Sequence, residues 1–328
     1  MSFKDMQSIQ ADVKLLDAQV FVPSIVSAFS SAARKDAPAQ LAALAASPGL
    51  AEAVQRLRAW DFSTPTGIPE GFDASDVNGK PKRPSREEIS NSVAATVYAV
   101  WRGQAIRSIV DAHLPGLPVP PDQQAMTALR NILASANGVG ASGIDFFSIP
   151  GTSASAAERR DILLLGALRS ALDRLSGEPF AAAFGKSKDL GDYRWGKLHR
   201  IVFEHVLGGP FSIPPAFGRF DNPLPDLAGV PTDGGLGTVD VAAHDPRAQS
   251  VDDFMFAHGP SNRLVVSLLH GAEHAASVWP GGVSARPDSK FYVNLLPLWL
   301  TNDTVPLLFS RDALEDGDLT TTRFLPAR

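Results

Sequence analysis

Two hydrophobic periods divide this chain near Gly208, and that division limits the folds open to it. Before Gly208, apolar residues recur at three- and four-residue spacing, which lines one face of a helix; after it they come in short, β-branched runs bounded by Gly, Pro and Asp. Helices first and strands later predict an α+β layered fold rather than alternating βαβ units. The expected organisation is a mainly helical segment over 1–207, a Pro/Gly-rich loop over 208–237 and a strand-rich segment over 238–328. A loop of that length is expected to serve function or an interface.

Within the first segment, Ile9, Val13, Leu16 and Val20 predict one helix face, with Pro23 kinking or ending the helix. Short helices are expected over 40–46 and 50–60, split by Ser47-Pro48-Gly49, and a long loop over 64–84. Ser85 with Glu88 forms a capping box. It opens the strongest predicted helix, 86–114, with Ile89, Val93, Val97, Val100 and Trp101 on one face. Further helices are expected over 123–136, 155–175 and 189–206. Strands are expected over 238–243, 253–257, 263–269, 276–279 and 306–309, and the break at His270-Gly271 predicts a hairpin.

Charge and composition exclude several functions. The net charge of -5 gives no strong positive field for nucleic acid or an anionic membrane. No cysteine is present, so disulfide and thiolate chemistry are excluded. No run of 18 apolar residues is present, so no membrane span is expected. Residues 1–7 show no signal peptide.

Three motifs invite chemistry. Gly138-Val139-Gly140-Ala141-Ser142-Gly143 matches GxGxxG, but the pattern needs a strand before it and a helix after it, and here a helix precedes. A flexible turn is expected. His270-Gly271-Ala272-Glu273-His274 matches the HxxEH zinc spacing, but Gly271 and the flanking strands predict a hairpin in which the rings do not converge. No metal is expected. His199, beside Leu198, Ile201, Val202 and Phe203, is expected on an amphipathic helix as a packed histidine with one hydrogen bond. There is no GxSxG elbow and no visible Ser-His-Asp set.

Tyr193-Arg194-Trp195-Gly196-Lys197-Leu198-His199-Arg200 resembles the tryptophan-glycine-x-leucine-histidine segment of the penicillin acylase family. Gly259-Pro260-Ser261-Asn262-Arg263 resembles its glycine-x-serine-x-arginine strand, and Trp279-Pro280-Gly281-Gly282 its proline-glycine-glycine turn. Asp5-Met6-Gln7-Ser8-Ile9-Gln10 is similar to the family's aspartate-methionine-x-x-x-glutamine helix. Ala59-Trp60-Asp61, Thr238 to Ala243 and the segments 295–299 and 305–309 match in order. Val283 stands where glutamine is usual and Ala285 where glycine is usual. Trp195, Gly196, His199, Arg200, Ser261, Arg263, Pro280, Gly281 and Gly282 thus carry the resemblance, and structural roles are expected for them.

The resemblance implies part of an N-terminal-nucleophile αββα sandwich and hydrolysis of an N-acyl amide. The family includes acyl-homoserine-lactone acylases, so antibiotics, quorum-sensing lactones and other amides stay open as substrates. Family members use the α-amino group of an N-terminal serine as base for its own hydroxyl. That serine, the oxyanion asparagine and a calcium-binding set lie upstream of the aspartate-methionine helix in the family, so no catalytic residue and no cofactor is carried over to any position here. Ser2 is followed by Phe3 and Lys4, unlike a family nucleophile. The implied partner is an upstream chain bearing the serine. A non-catalytic ligand- or partner-binding fragment is the alternative. The family is often periplasmic or secreted, which leaves the compartment open. Without the upstream part, the apolar stretches 264–269 and 295–300 are expected to lose part of their cover.

Overall fold

A computed structural model describes residues 1–269, 274–308, 310–315 and 323–325. Its helical part contains α1 (Phe3–Gln10), α2 (Leu16–Ala32), α3 (Ala39–Ala45), α4 (Leu50–Ala59), α5 (Arg86–Ala105), α6 (Asp122–Ala134), α7 (Ala156–Leu175) and the short α8 (Ala181–Phe184). Then follow β1 (Arg200–Ile201), β2 (Val230–Pro231), β3 (Arg263–Ser267), β4 (His274–Val278), α9 (Leu296–Leu300), β5 (Val305–Pro306) and α10 (Arg311–Glu315). The chain is thus a mixed helix and sheet protein.

Helix α5 is the axis of the helical core. The Ser85–Glu88 capping box closes its N-terminus: Glu88 N donates to Ser85 Oγ (3.1 Å) and Ser85 N to Glu88 Oε2 (2.7 Å). From Asn91 to Ala105 it is buried on every side rather than on the single face expected, because α4, α7 and the turns after residue 189 all pack on it. The helix continues past Ala105 as a π-helical turn, Ile106–Val110, and a 3-10 turn, Asp111–His113. Ser155 and Glu158 cap α7 in the same way. α7 packs on α2, α3 and α5.

The three-stranded antiparallel sheet has order β3-β4-β5, with Arg263 opposite Val278 and Ser267 opposite His274. This is the expected hairpin; its connection, with His270, Gly271 and Glu273 of the HxxEH motif, lies outside the described residues. A second apolar cluster gathers Phe72, Ile201, Phe256, Val278, Leu296 and Trp299 beneath this sheet.

Several expectations need correction. The stripe Ile9, Val13, Leu16, Val20 belongs to two helices: α1 ends at Gln10, and Ile9, Leu16 and Val20 are exposed. The face of α2 that is buried carries Ala18, Phe21, Val22, Ile25 and Ala28. Pro23 sits inside α2 without ending it, on the solvent side, where a freed carbonyl can be hydrated. No helix spans 189–206. Two 3-10 turns, Leu190–Asp192 and Trp195–Lys197, lead into β1. Gly196 lies so close to Thr66 and Ile68 that a Cβ would come within 2.9–3.0 Å of their side chains, and Gly196 N bonds Thr66 O. Such an approach holds the segment against the 64–84 loop instead of letting it coil. Residues 238–243 and 253–257 form no strands; they carry isolated bridges, Gly235 to Val241 and Ala243 to His258, and a 3-10 turn, Asp252–Phe254. The 306–309 strand shortens to β5, and Phe309 lies outside the described residues. The stretch 295–300 is covered, with Leu295, Leu296, Trp299 and Leu300 buried, whereas Leu264, Val266, Leu268 and Leu269 are exposed as expected.

Candidate functional site

The turn Trp195–Lys197 delivers an indole and an imidazole into the junction between the helical core and the strand-rich part. Trp195 Nε1 donates to Gly234 O (2.8 Å) and its backbone N to Ser92 Oγ (2.8 Å). The fully buried His199 ring stacks between Trp195 (5.0 Å) and Phe256 (5.5 Å). Its Nδ1 lies 2.9 Å from Thr232 O and its Nε2 3.0 Å from Ala242 O. A neutral imidazole has one N–H, so it satisfies one of these carbonyls at a time. Burial pushes the pKa down to about 4, against the pull of the two carbonyls. His199 is thus a packed histidine, but on an irregular segment and not on a helix.

His244 lies 5.7 Å from His199, ring to ring, and 5.4 Å from Trp195. Its Nε2 is 3.0 Å from Arg102 Nη2, and its Nδ1 is buried without a partner. Burial, then the Arg102 charge, hold it well below the usual histidine range. Arg102, itself fully buried in α5, donates to Asp17 Oδ2 (3.0 Å) and Leu236 O (3.2 Å). Tyr98 donates its hydroxyl to the same Asp17 oxygen (2.7 Å), and burial raises its pKa further above the ordinary phenol value. The network Tyr98–Asp17–Arg102–His244 was not anticipated from sequence. One signal was available: Arg102 interrupts an otherwise apolar stretch of α5, and a charge there needs a buried counter-ion.

A second network carries the remaining resemblance residues. Arg263 Nη2 donates to both Asp240 oxygens (2.8 and 2.9 Å), and Nη1 to Trp299 O (2.7 Å). Its guanidinium lies 4.6 Å from the centre of the Trp299 ring. Burial raises the Asp240 pKa while Arg263 pulls it down; the net direction is up. Ser261, Pro280, Phe203, Phe256 and Trp299 line a groove of about 290 Å³. Gly281 adopts φ +88°, and a Cβ on Gly282 would lie 2.0 Å from Phe291 O, so the Pro280-Gly281-Gly282 turn needs both glycines. Arg200 is buried and donates through Nε to Ala228 O (2.7 Å).

The loop over 64–84 contributes a third buried cluster. Asp73 accepts from Thr66 N and Thr66 Oγ1 (both 2.7 Å), Asp76 accepts from Asp73 N (2.9 Å) and Asp233 from Ala74 N (2.6 Å). Burial pushes Asp73 up to about 6, and burial plus the Asp73 charge push Asp233 well above the carboxylate range. These oxygens accept from backbone N–H groups and the Thr66 hydroxyl, and burial favours their protonated forms. Among the described residues no three His, Cys, Asp or Glu side chains converge as a metal site. His274 begins β4, exposed, with its ring 4.4 Å from Phe3. The GxGxxG residues form a turn, with Gly143 N bonded to Gly140 O (2.9 Å) and no helix starting there. Ser2 caps α1: its Oγ accepts from Asp5 N (3.1 Å). Among the described residues no serine or threonine hydroxyl bonds a histidine ring.

The family described as Penicillin amidase matches residues 1–316. No curated protein matches the chain. Among solved structures, a thermostable penicillin G acylase from Alcaligenes faecalis in orthorhombic form is similar at 12% identity and a TM-score of 0.49, over 97% of this chain and 48% of that chain. The chain therefore spans about half the length of that acylase. With the family match running through nearly every motif described above, this chain belongs to the penicillin amidase family.

Proposed function

We propose that this chain is a component of an N-acyl amide hydrolase whose N-terminal serine nucleophile is supplied by an upstream polypeptide. The observation that carries this reading is the family match over residues 1–316. The side chains most suited to catalysis here are already engaged: Ser2 caps a helix, His199 faces two carbonyls and His244 faces Arg102. In the proposed enzyme, the serine α-amine, with a pKa of about 8, takes the proton of its own hydroxyl. Residues 1–207 then form a helical wall, 208–237 the connecting loop and 238–328 the outer strands of an αββα sandwich. No cofactor is assigned to this chain. The exposed apolar face of β3, with Leu264 and Val266, is where sheet cover from the partner is expected. Mass spectrometry of the native complex tests this: an upstream chain beginning serine-asparagine supports it, and a native species containing this chain alone counts against it. The other reading, a non-catalytic ligand-binding fragment of the same fold, is favoured by one observation, the cavity between α3, α5 and α7.

A further inference from the structure

That cavity encloses about 400 Å³, within the range of roughly 300–1,000 Å³ typical of small-molecule pockets. Its apolar wall is Leu44 of α3, Ile149, and Ile162, Leu163 and Ala167 of α7. Its polar groups are Gln104, Arg107 and Ser108 of α5 and its π-helical extension, with Gln40 of α3 and Ser170 of α7. Arg107 and Ser108 follow Gln104 by three and four residues, so all three share one face of the helix.

Two polar groups on this wall are unfilled. Gln104 is 9% exposed; its Oε1 accepts from Ser170 Oγ (3.1 Å), and its Nε2 is buried with no partner. Arg107 Nε is also buried without a partner, although the Gln249 amide oxygen, in its better orientation, accepts from Nη2 (3.1 Å) and Nη1 (3.3 Å). A buried unpaired donor is costly, and a ligand acceptor that reaches it recovers that loss. Arg107 is the charged side chain of this lining, which favours an anionic ligand. Arg247 is paired with Asp111 (2.8 Å) and Asp122 (3.4 Å). Across these six groups the charges cancel, and Arg107 and Arg174 share the carboxylate of Asp245. Gly166 lies mid-helix in α7 with nothing within 4 Å of where its Cβ would be. A glycine there weakens the helix relative to alanine, with no packing clash to require it. It leaves the cavity open.

We propose that this cavity binds an alkyl carboxylate, with the chain against α3 and α7 and the carboxylate at Arg107 and Gln104. The proposal does not depend on the chain taking part in amide hydrolysis. Calorimetric titration of the full chain with sodium octanoate tests it, with 1-octanol and inorganic phosphate as comparison ligands. One octanoate per chain is expected, with 1-octanol weaker by about ten- to a hundredfold, the worth of a charged hydrogen bond, and no phosphate binding. Arg107→Gln should bring octanoate down to the affinity of 1-octanol while leaving 1-octanol unchanged. Gly166→Leu, which fills open space and favours the helix, should abolish octanoate binding and keep the melting temperature. Should that variant melt lower, Arg107→Gln decides alone. Absence of octanoate binding, equal affinity for octanoate and 1-octanol, phosphate binding as tight as octanoate, or unchanged octanoate affinity in a well-folded Gly166→Leu would each overturn the proposal.

Discussion

Replacing His199 with glutamine isolates the energetic consequence of burying an imidazole between two carbonyls. Burial lowers its pKa from an ordinary 6.5 to about 4 in the folded chain. Below pH 6.5 the unfolded chain therefore binds a proton that the folded chain refuses, so stability is lost as pH falls from 6.5 toward 4. Linkage with these two values gives a loss of under about 1 kcal/mol at pH 6, about 2 at pH 5 and about 3 at pH 4. His199→Gln removes this titration together with the aromatic stack, so it destabilises the fold at pH 7 by a fixed amount. Its penalty relative to the native chain should then shrink by about 3 kcal/mol between pH 7 and pH 4. Urea denaturation of both proteins at pH 7, 6, 5 and 4, extrapolated linearly, reads this difference directly. The comparison also cancels titrations common to both, such as that of His244. A penalty that stays constant, or grows on acidification, would mean that the folded ring carries two protons and satisfies both carbonyls. The argument that burial outweighs the hydrogen bonds would then be refuted.

Three further outcomes are expected. Asp73, raised from 3.8 to about 6, holds its proton more tightly in the fold, so its contribution declines as pH rises through that window; Asp73→Asn should remove this slope in the same urea series, opposite in sign to that of His199. Arg263→Ala should cost about 3–5 kcal/mol by leaving Asp240 buried and unpaired, while the double change Arg263→Met with Asp240→Leu should cost clearly less than the two single losses added, as read from a denaturation cycle. Elemental analysis should find no stoichiometric zinc; one tightly held zinc per chain, lost in His270→Ala/His274→Ala, would contradict this.

Local signals were the legible ones. The Ser85–Glu88 box located the start of α5, because a cap is satisfied within four residues and owes nothing to the rest of the chain. The apolar run at Arg263 and the Gly beyond it located the β3–β4 hairpin for the same reason. The segment 189–206 misled because Leu198, Ile201 and Val202 fit a helical period equally well as a short buried run. Its conformation is decided by Gly196 against Thr66, a contact more than a hundred residues apart in sequence. The candidate site was mostly illegible on the same ground. Asp17 of α2, Tyr98 and Arg102 of α5, and His244 form one network from three separate places, and each alone is an ordinary residue. Asp73 and Asp233 lie in two loops far apart in sequence, and only the fold buries them together. Arg263, Ser261 and Pro280 were found through their family pattern, which supplied no roles; the Trp299 ring that gathers them gives Arg263 its structural part.

Hydrolysis of a chromogenic phenylacetyl or fatty-acyl anilide, by this chain alone and after co-expression with an upstream polypeptide beginning serine-asparagine, tests the central claim most directly. The account predicts no turnover by the chain alone and burst kinetics followed by steady turnover from the pair, lost when the partner's N-terminal serine is replaced. Turnover by this chain alone, abolished by Ser2→Ala, would contradict it and return the nucleophile to this chain.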